Sequence, residues 1–316
     1  MTKTILSYYS FSKEQEKELK EIAPDYTFVS SLSEADKLSD IEAIYGWNKE
    51  DGPIIVQDDS SQLKWLQIDS AGVDYLDLET MQEKGIVLTN ASGIHAHPIA
   101  ESVIGMLLSY TRGIRHSIKM QDKAEWNTDT PMSELTDKTM LIVGTGQIGK
   151  QTGKLAKAFD MHTIGINRSG RDVEYMDEQY TQENLAEALP KADVVVNILP
   201  STDETKDLFD YDLFEKMKDS AVYINVGRGT TVVTDDLIKA LDNGQIAFAA
   251  LDVVHEEPLP SDHPLYARED VLLTPHISGD FDRYAERLYP IFKENLKAFV
   301  AGEDLPRNVV DYDSGY

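Results

Sequence analysis

Residues 141–149 constrain the fold more than any other stretch of the chain. Leu141, Ile142 and Val143 form an apolar run of strand character. It passes directly into Gly144-Thr145-Gly146-Gln147-Ile148-Gly149, and an amphipathic stretch, Gln147–Phe159, follows. In a strand–turn–helix unit each glycine has its own task. The first makes the tight turn, the second lets the backbone approach a pyrophosphate, and the third lets helix and strand pack closely. Gln147 and Ile148 then open a helix whose N-terminus faces the phosphates. The bare glycine pattern is weak, but with a strand before it and a helix after it, it predicts a dinucleotide-binding βαβ unit.

The rest of the chain suits a parallel α/β design, with short β-rich runs alternating with helical stretches from end to end. One series of strand candidates is Thr4–Tyr9, Thr27–Ser31, Ile41–Trp47, Leu63–Asp69 and Ile86–Asn90. A second is Met140–Val143, His162–Asn167, Asp193–Leu199, Ala221–Val226, Ile246–Asp252 and Val271–Thr274. Ser12–Ile22 and Thr234–Asp242 are amphipathic helix candidates. A long helix is expected over Ile99–Met120, opened by Pro98 and apolar on more than one face, and another over Asp280–Ala301. The simplest architecture is two Rossmann-like parallel-sheet domains. A substrate-binding domain of residues 1–98 and 281–316 would carry a dinucleotide-binding domain, 99–280, as an insertion. The catalytic cleft would lie between them.

Composition excludes whole classes of function. A formal charge of −26 argues against nucleic acid and against anionic membrane surfaces. No run of about 18 apolar residues is present to span a bilayer. MTKTILSYY has neither the apolar core nor the cleavage site of a signal peptide, and there is no cysteine, so a cytoplasmic protein is expected. An anionic substrate would be repelled by the global field, so its site must concentrate cations locally.

The residue that reads the adenosine ribose should end the strand after the glycine turn. NAD enzymes usually place Asp or Glu there, to bond the 2′-hydroxyl. Here the position is Asn167, followed by Arg168 and Ser169. Losing the carboxylate removes a clash with a 2′-phosphate, while Arg168 offers a guanidinium and Ser169 a hydroxyl donor. NADP is therefore expected to be preferred, with NAD possible.

Three further strand ends carry chemistry. Asn225-Val226-Gly227-Arg228-Gly229 sets an arginine between glycines, suited to grip a 2-keto acid carboxylate and polarise its carbonyl. Leu251-Asp252 ends the next strand, with His255-Glu256-Glu257-Pro258 beyond it, and the last ends Thr274-Pro275-His276. Reducing a ketone needs a proton donor and a polariser, and a His–Glu pair beside Arg supplies both.

These blocks, read in order, resemble the D-2-hydroxyacid dehydrogenase family over essentially the whole chain. They are DSAGVDYLD (69–77), VGTGQIG (143–149), ILPSTDET (198–205), INVGRGTTV (224–232), LDVVHEEPLP (251–260) and TPHISG (274–279). The resemblance implies that Arg228 binds carboxylate and carbonyl, that His276 is the acid/base, and that Glu257 pairs with it. It implies that backbone around Ala71, Gly72 and Val73 holds the substrate carboxylate. Thr205, Asp252, Leu199-Pro200 and Val226-Gly227 match cofactor-contacting positions. Phe281 departs from the family, standing where many members have threonine.

The expected activity is therefore hydride transfer between NADP(H) and a small 2-keto or D-2-hydroxy acid of the glyoxylate or hydroxypyruvate kind. The first arginine is Arg112, which disfavours a phosphorylated substrate, although Lys49 or Lys64 could substitute. Alternatives are an NAD-dependent phosphoglycerate dehydrogenase and a non-catalytic cofactor sensor like the C-terminal binding protein corepressors. Tyr45 and Trp47 could line a substrate pocket or pack in the core. His95 and His97 are expected to line the hinge or cleft rather than hold a metal, and no metal is expected elsewhere. The apolar helix over Ile99–Met120 suggests a homodimer.

Overall fold

The computed structural model describes residues 3–312. In chain order the strands and helices begin with β1 (Lys3–Ser7), α1 (Lys13–Ile22), β2 (Tyr26–Val29), β3 (Ile41–Tyr45) and α2 (Asp51–Gln57). They continue with β4 (Trp65–Gln67), α3 (Leu78–Glu83), β5 (Val87–Thr89), α4 (Ala96–Thr111) and α5 (Ile114–Asp122). Next are β6 (Thr139–Val143), α6 (Gln147–Ala158), β7 (His162–Asn167), β8 (Glu178–Thr181), α7 (Leu185–Ala188) and β9 (Val194–Asn197). The last are α8 (Tyr211–Phe214), β10 (Val222–Asn225), α9 (Thr234–Asp242), β11 (Phe248–Leu251), β12 (Val271–Leu273) and α10 (Tyr284–Ala301).

The chain forms two compact units, one from residues up to Ile94 with those from Phe281 onward, the other His95–Asp280. The first change of unit falls a few residues before the expected break after residue 98, because α4 begins at Ala96 with His95 as its cap residue.

The first unit is a five-stranded parallel sheet in the order β2-β1-β3-β4-β5. Alternation along β1 sends Ile5 and Leu6 to opposite faces. Ile5 packs with Ala43, Tyr45, Trp65 and the α10 residues Leu288, Phe292 and Leu296. Leu6 packs with Ile44, Leu66, Ile55 of α2 and Met81 of α3. Tyr45 is 1% exposed and stacks on Phe292 at 4.0 Å, so of its two readings core packing holds. A capping box between Ser12 and Gln15 fixes the start of α1. At the far edge, Val310 donates to the Leu88 carbonyl, so the returning chain covers part of β5.

The second unit is a seven-stranded parallel sheet, β12-β11-β10-β9-β6-β7-β8, with helices on both faces. The polar strand β8, Glu-Gln-Tyr-Thr, was not expected from sequence; it is an edge strand with no apolar alternation to reveal it. The single helix expected over Ile99–Met120 is in fact two. Gly113, at φ +63°, ends α4 in the left-handed conformation, and a Cβ there would stand 2.6 Å from Cγ2 of Thr130. The apolarity of α4 is used inside the chain. Ile99, Val103, Ile104, Met106 and Leu107 are buried with Met140, Ile142, Val196, Ile224 and Ala250. No helix among the described residues is long and apolar enough to cross a membrane.

Candidate active site

In a parallel sheet every strand delivers its C-terminal end to the same edge, and here the loops at that edge carry the second unit's candidate residues. The glycine turn follows β6. Gly144 holds φ +106°, and its amide donates to the Ile166 carbonyl at the end of β7. A Cβ at Gly149 would stand 2.2 Å from the Gly144 carbonyl oxygen, so only glycine lets α6 sit this close. A Cβ at Gly146 would meet nothing within 4 Å, and the helix it caps starts with no side-chain cap. The amides opening α6, from Gln147 and Ile148, are thus a ready anion site beside bare backbone. This cradle fits a dinucleotide pyrophosphate.

Asn167 ends β7 and organises the turn behind it. Its Oδ1 accepts from the amides of Ser169 and Arg171, both at 3.2 Å. Its Nδ2 donates to Thr145 Oγ1 and to the Arg171 carbonyl, both at 2.9 Å. Arg168 stands in this turn with Nη2 3.9 Å from Oε2 of Glu204. The loop after β9 is held by Thr205, whose hydroxyl donates to the Pro200 carbonyl at 2.6 Å, while the Leu199 amide donates to Asn197.

Asn197 and Asn225 end neighbouring strands and act alike, each accepting from the amide two residues on. Asn225 also donates to the Arg228 carbonyl, which accepts from Thr231 Oγ1 at 2.6 Å as well. Asn197 in turn donates to that same Thr231 hydroxyl. The residue presenting Arg228 is thereby tied to two strand ends. Val226 is buried, and its amide donates to the Asn197 carbonyl. The Arg228 guanidinium itself donates to the Gly227 carbonyl at 3.0 Å. Sequence reading missed Asn197 and Thr231, although an Asn closing an apolar strand is a visible signal for such a turn.

The last two strands bring the remaining pair together. His276 Nδ1 lies 2.7 Å from Glu257 Oε2, while Glu257 Oε1 accepts from the Val254 amide at 3.1 Å. Both side chains are partly exposed. His276 has φ +55°, uncommon for a non-glycine residue, and its amide donates to the Asp252 carbonyl at 2.8 Å. Asp252, 2% exposed, accepts from Thr274 Oγ1 and from the amides of Ile277 and Ser278. It holds the loop that carries His276 rather than the imidazole. His95 caps α4 against Gly279, and burial pushes its imidazole down to about 4, with Asp280 opposing the shift and Arg228 adding to it. His97 is exposed.

In the first unit the loop 69–73 is fixed from several sides. Asn90 Nδ2 donates to the Ala71 carbonyl, Ser70 Oγ to that of Gly72, and the Leu76 amide to that of Val73. Tyr9 donates to Asp69 Oδ2 at 2.8 Å, and Tyr284 donates to the Asp69 carbonyl.

Fold and site together define an α/β enzyme of the dinucleotide-dependent dehydrogenase class. Comparison with known proteins gives the family. The D-isomer specific 2-hydroxyacid dehydrogenase NAD binding domain matches residues 104–278, and the catalytic domain of the same family matches residues 5–143. A glyoxylate reductase from Thermofilum pendens is 35% identical over 259 residues, covering 79% of this chain and 76% of its own. The crystal structure of a phosphoglycerate dehydrogenase from Lactobacillus plantarum is 41% identical, covers 98% of this chain and 100% of its own, and superposes with a TM-score of 0.59. An NADPH-dependent glyoxylate/hydroxypyruvate reductase from Sinorhizobium meliloti, in complex with NADP and sulfate, is 26% identical with a TM-score of 0.80. It covers 99% of this chain and 100% of its own. The chain belongs to the D-isomer specific 2-hydroxyacid dehydrogenase family and is an oxidoreductase acting on CH–OH donors.

Proposed function

We propose that the enzyme reduces a small, unphosphorylated 2-keto acid of the glyoxylate or hydroxypyruvate kind to its D-2-hydroxy acid, preferring NADPH to NADH. The dinucleotide, when bound, supplies hydride to the carbonyl carbon. Arg228 grips the carboxylate and draws electron density toward the carbonyl oxygen. His276 delivers the proton to that oxygen, and Glu257 orients the ring. The backbone amides of Ala71, Gly72 and Val73 take part in holding the carboxylate. Gly144, Gly146 and Gly149 with the start of α6 would hold the pyrophosphate, and Arg168 and Ser169 the 2′-phosphate.

The observation that carries the cofactor preference is the Asn167 turn, in which an amide stands where a ribose-reading carboxylate is expected. One phosphate–guanidinium contact contributes about 1.5–3 kcal/mol, so kcat/KM with NADPH should exceed that with NADH by roughly 10- to 150-fold. The test is initial rates with both cofactors against glyoxylate, hydroxypyruvate, pyruvate and 3-phosphohydroxypyruvate; equal rates, or an advantage for NADH, would refute the reading of this turn. A second reading, reduction of a phosphorylated keto acid, is favoured by the 41% identity to a phosphoglycerate dehydrogenase. Against it stands the lack of any arginine before Arg112, and the phosphorylated member of the panel decides. We also propose that the chain acts as a homodimer.

A further inference from the structure

We propose that Glu204 is a resident counter-ion of Arg168 that a cofactor's 2′-phosphate must displace, so that Glu204 tunes discrimination between phosphorylated and unphosphorylated adenosine. This rests on the reading of Arg168 given above. The two side chains approach to 3.9 Å from loops that follow β7 and β9. Those strands flank β6 in the sheet, so the two loops stand on either side of the glycine turn.

Neither loop is held by the ion pair. On one side Asn167 fixes the turn bearing Arg168. On the other, the Thr202 amide donates to Thr205 Oγ1 at 2.9 Å, and the amides of Thr205 and Lys206 both donate to the Thr202 carbonyl. Glu204 therefore faces Arg168 because the backbone puts it there. Both side chains are largely exposed, 66% for Arg168 and 71% for Glu204, so the pair is weak and can be exchanged.

A phosphomonoester brings about 1.5–2 negative charges. To reach Arg168 it must replace the carboxylate and then tolerate it nearby, and a ribose hydroxyl faces neither requirement. Removing the carboxylate should thus strengthen only the ligand that carries a 2′-phosphate.

The test is calorimetric binding of adenosine 2′,5′-bisphosphate and of AMP to the full chain at about 0.1 M ionic strength. Glu204→Gln should tighten the bisphosphate about three- to tenfold and leave AMP within about twofold. Asp203→Asn, which removes a charge from the same turn, should change neither by more than about twofold. An unchanged bisphosphate affinity in Glu204→Gln, with Arg168→Ala weakening it, overturns the proposal and spares the assignment of Arg168. Equal tightening by Asp203→Asn also overturns it, because the general field would then be the cause. If Arg168→Ala leaves the bisphosphate unaffected, the cofactor reading itself falls and takes the proposal with it.

Discussion

Asp252 and Glu257 both follow β11, yet only Glu257 reaches the imidazole of His276. Asp252 spends its oxygens on a threonine hydroxyl and two backbone amides, which makes it a positioning residue for the loop. Reduction needs a proton donor at a fixed place, and the Glu257 carboxylate, 2.7 Å from Nδ1, fixes the ring. Glu257→Gln keeps the size of the side chain but loses the charge-assisted bond, so kcat for reduction should fall by about ten- to a hundredfold with the KM for NADPH little changed. His276→Ala should lower kcat by about two to four orders of magnitude. Glu256→Gln, at an exposed neighbour, should leave kcat within about twofold. An unchanged kcat in Glu257→Gln would remove the pairing from the mechanism.

At the scale of elements, what the sequence made legible is what chemistry confines to one residue type. The glycine turn, the Gly-Arg-Gly strand end and the two parallel sheets could be read because apolar runs ending in such residues have few other uses. Gly113 was legible in principle, but apolar periodicity continuing across it suggested one helix where there are two. The Asn197–Thr231 contact and the approach of Glu204 to Arg168 could not be read, since each joins residues more than 30 apart in sequence. The same long-range closeness makes Gly229 testable. A Cβ there would lie 1.9 Å from the carbonyl carbon and oxygen of Val254, backbone that cannot swing aside. Gly229→Ala should therefore cost about 3 kcal/mol or more in chemical denaturation and depress activity through the neighbouring Arg228. Gly85→Ala meets no atom within 4 Å, and its φ of +66° should cost only about 1–2 kcal/mol. Equal losses in the two variants would mean that the loop after β10 yields more easily than this packing implies.

For the whole molecule, burial of α4 removes the first argument for self-association and α5 supplies a better one. Helix α5 contributes no buried residue. Ile114 and Ile118 are 47% and 56% exposed on it, and the segment beyond leaves Met132 58% and Trp126 97% exposed. An indole in water forgoes a large burial gain, which is the usual mark of a surface that meets a partner. The charges suggest which partner. Arg115 and Lys119 of α5 already engage the Arg268 and Glu269 carbonyls and the Glu269 carboxylate, but Lys123 and then Glu125, Asp129 and Glu134 leave both signs beside the helix, as a contact that complements itself under two-fold rotation requires. Elsewhere a net charge of −26 opposes association between copies, which favours one closed contact over open growth. Light scattering at low micromolar concentration should give twice the monomer mass. Ile118→Glu together with Trp126→Ala should halve it, because the exposed positions contribute little to the fold of one chain. A wild-type protein that scatters as a monomer would leave this face without its second copy.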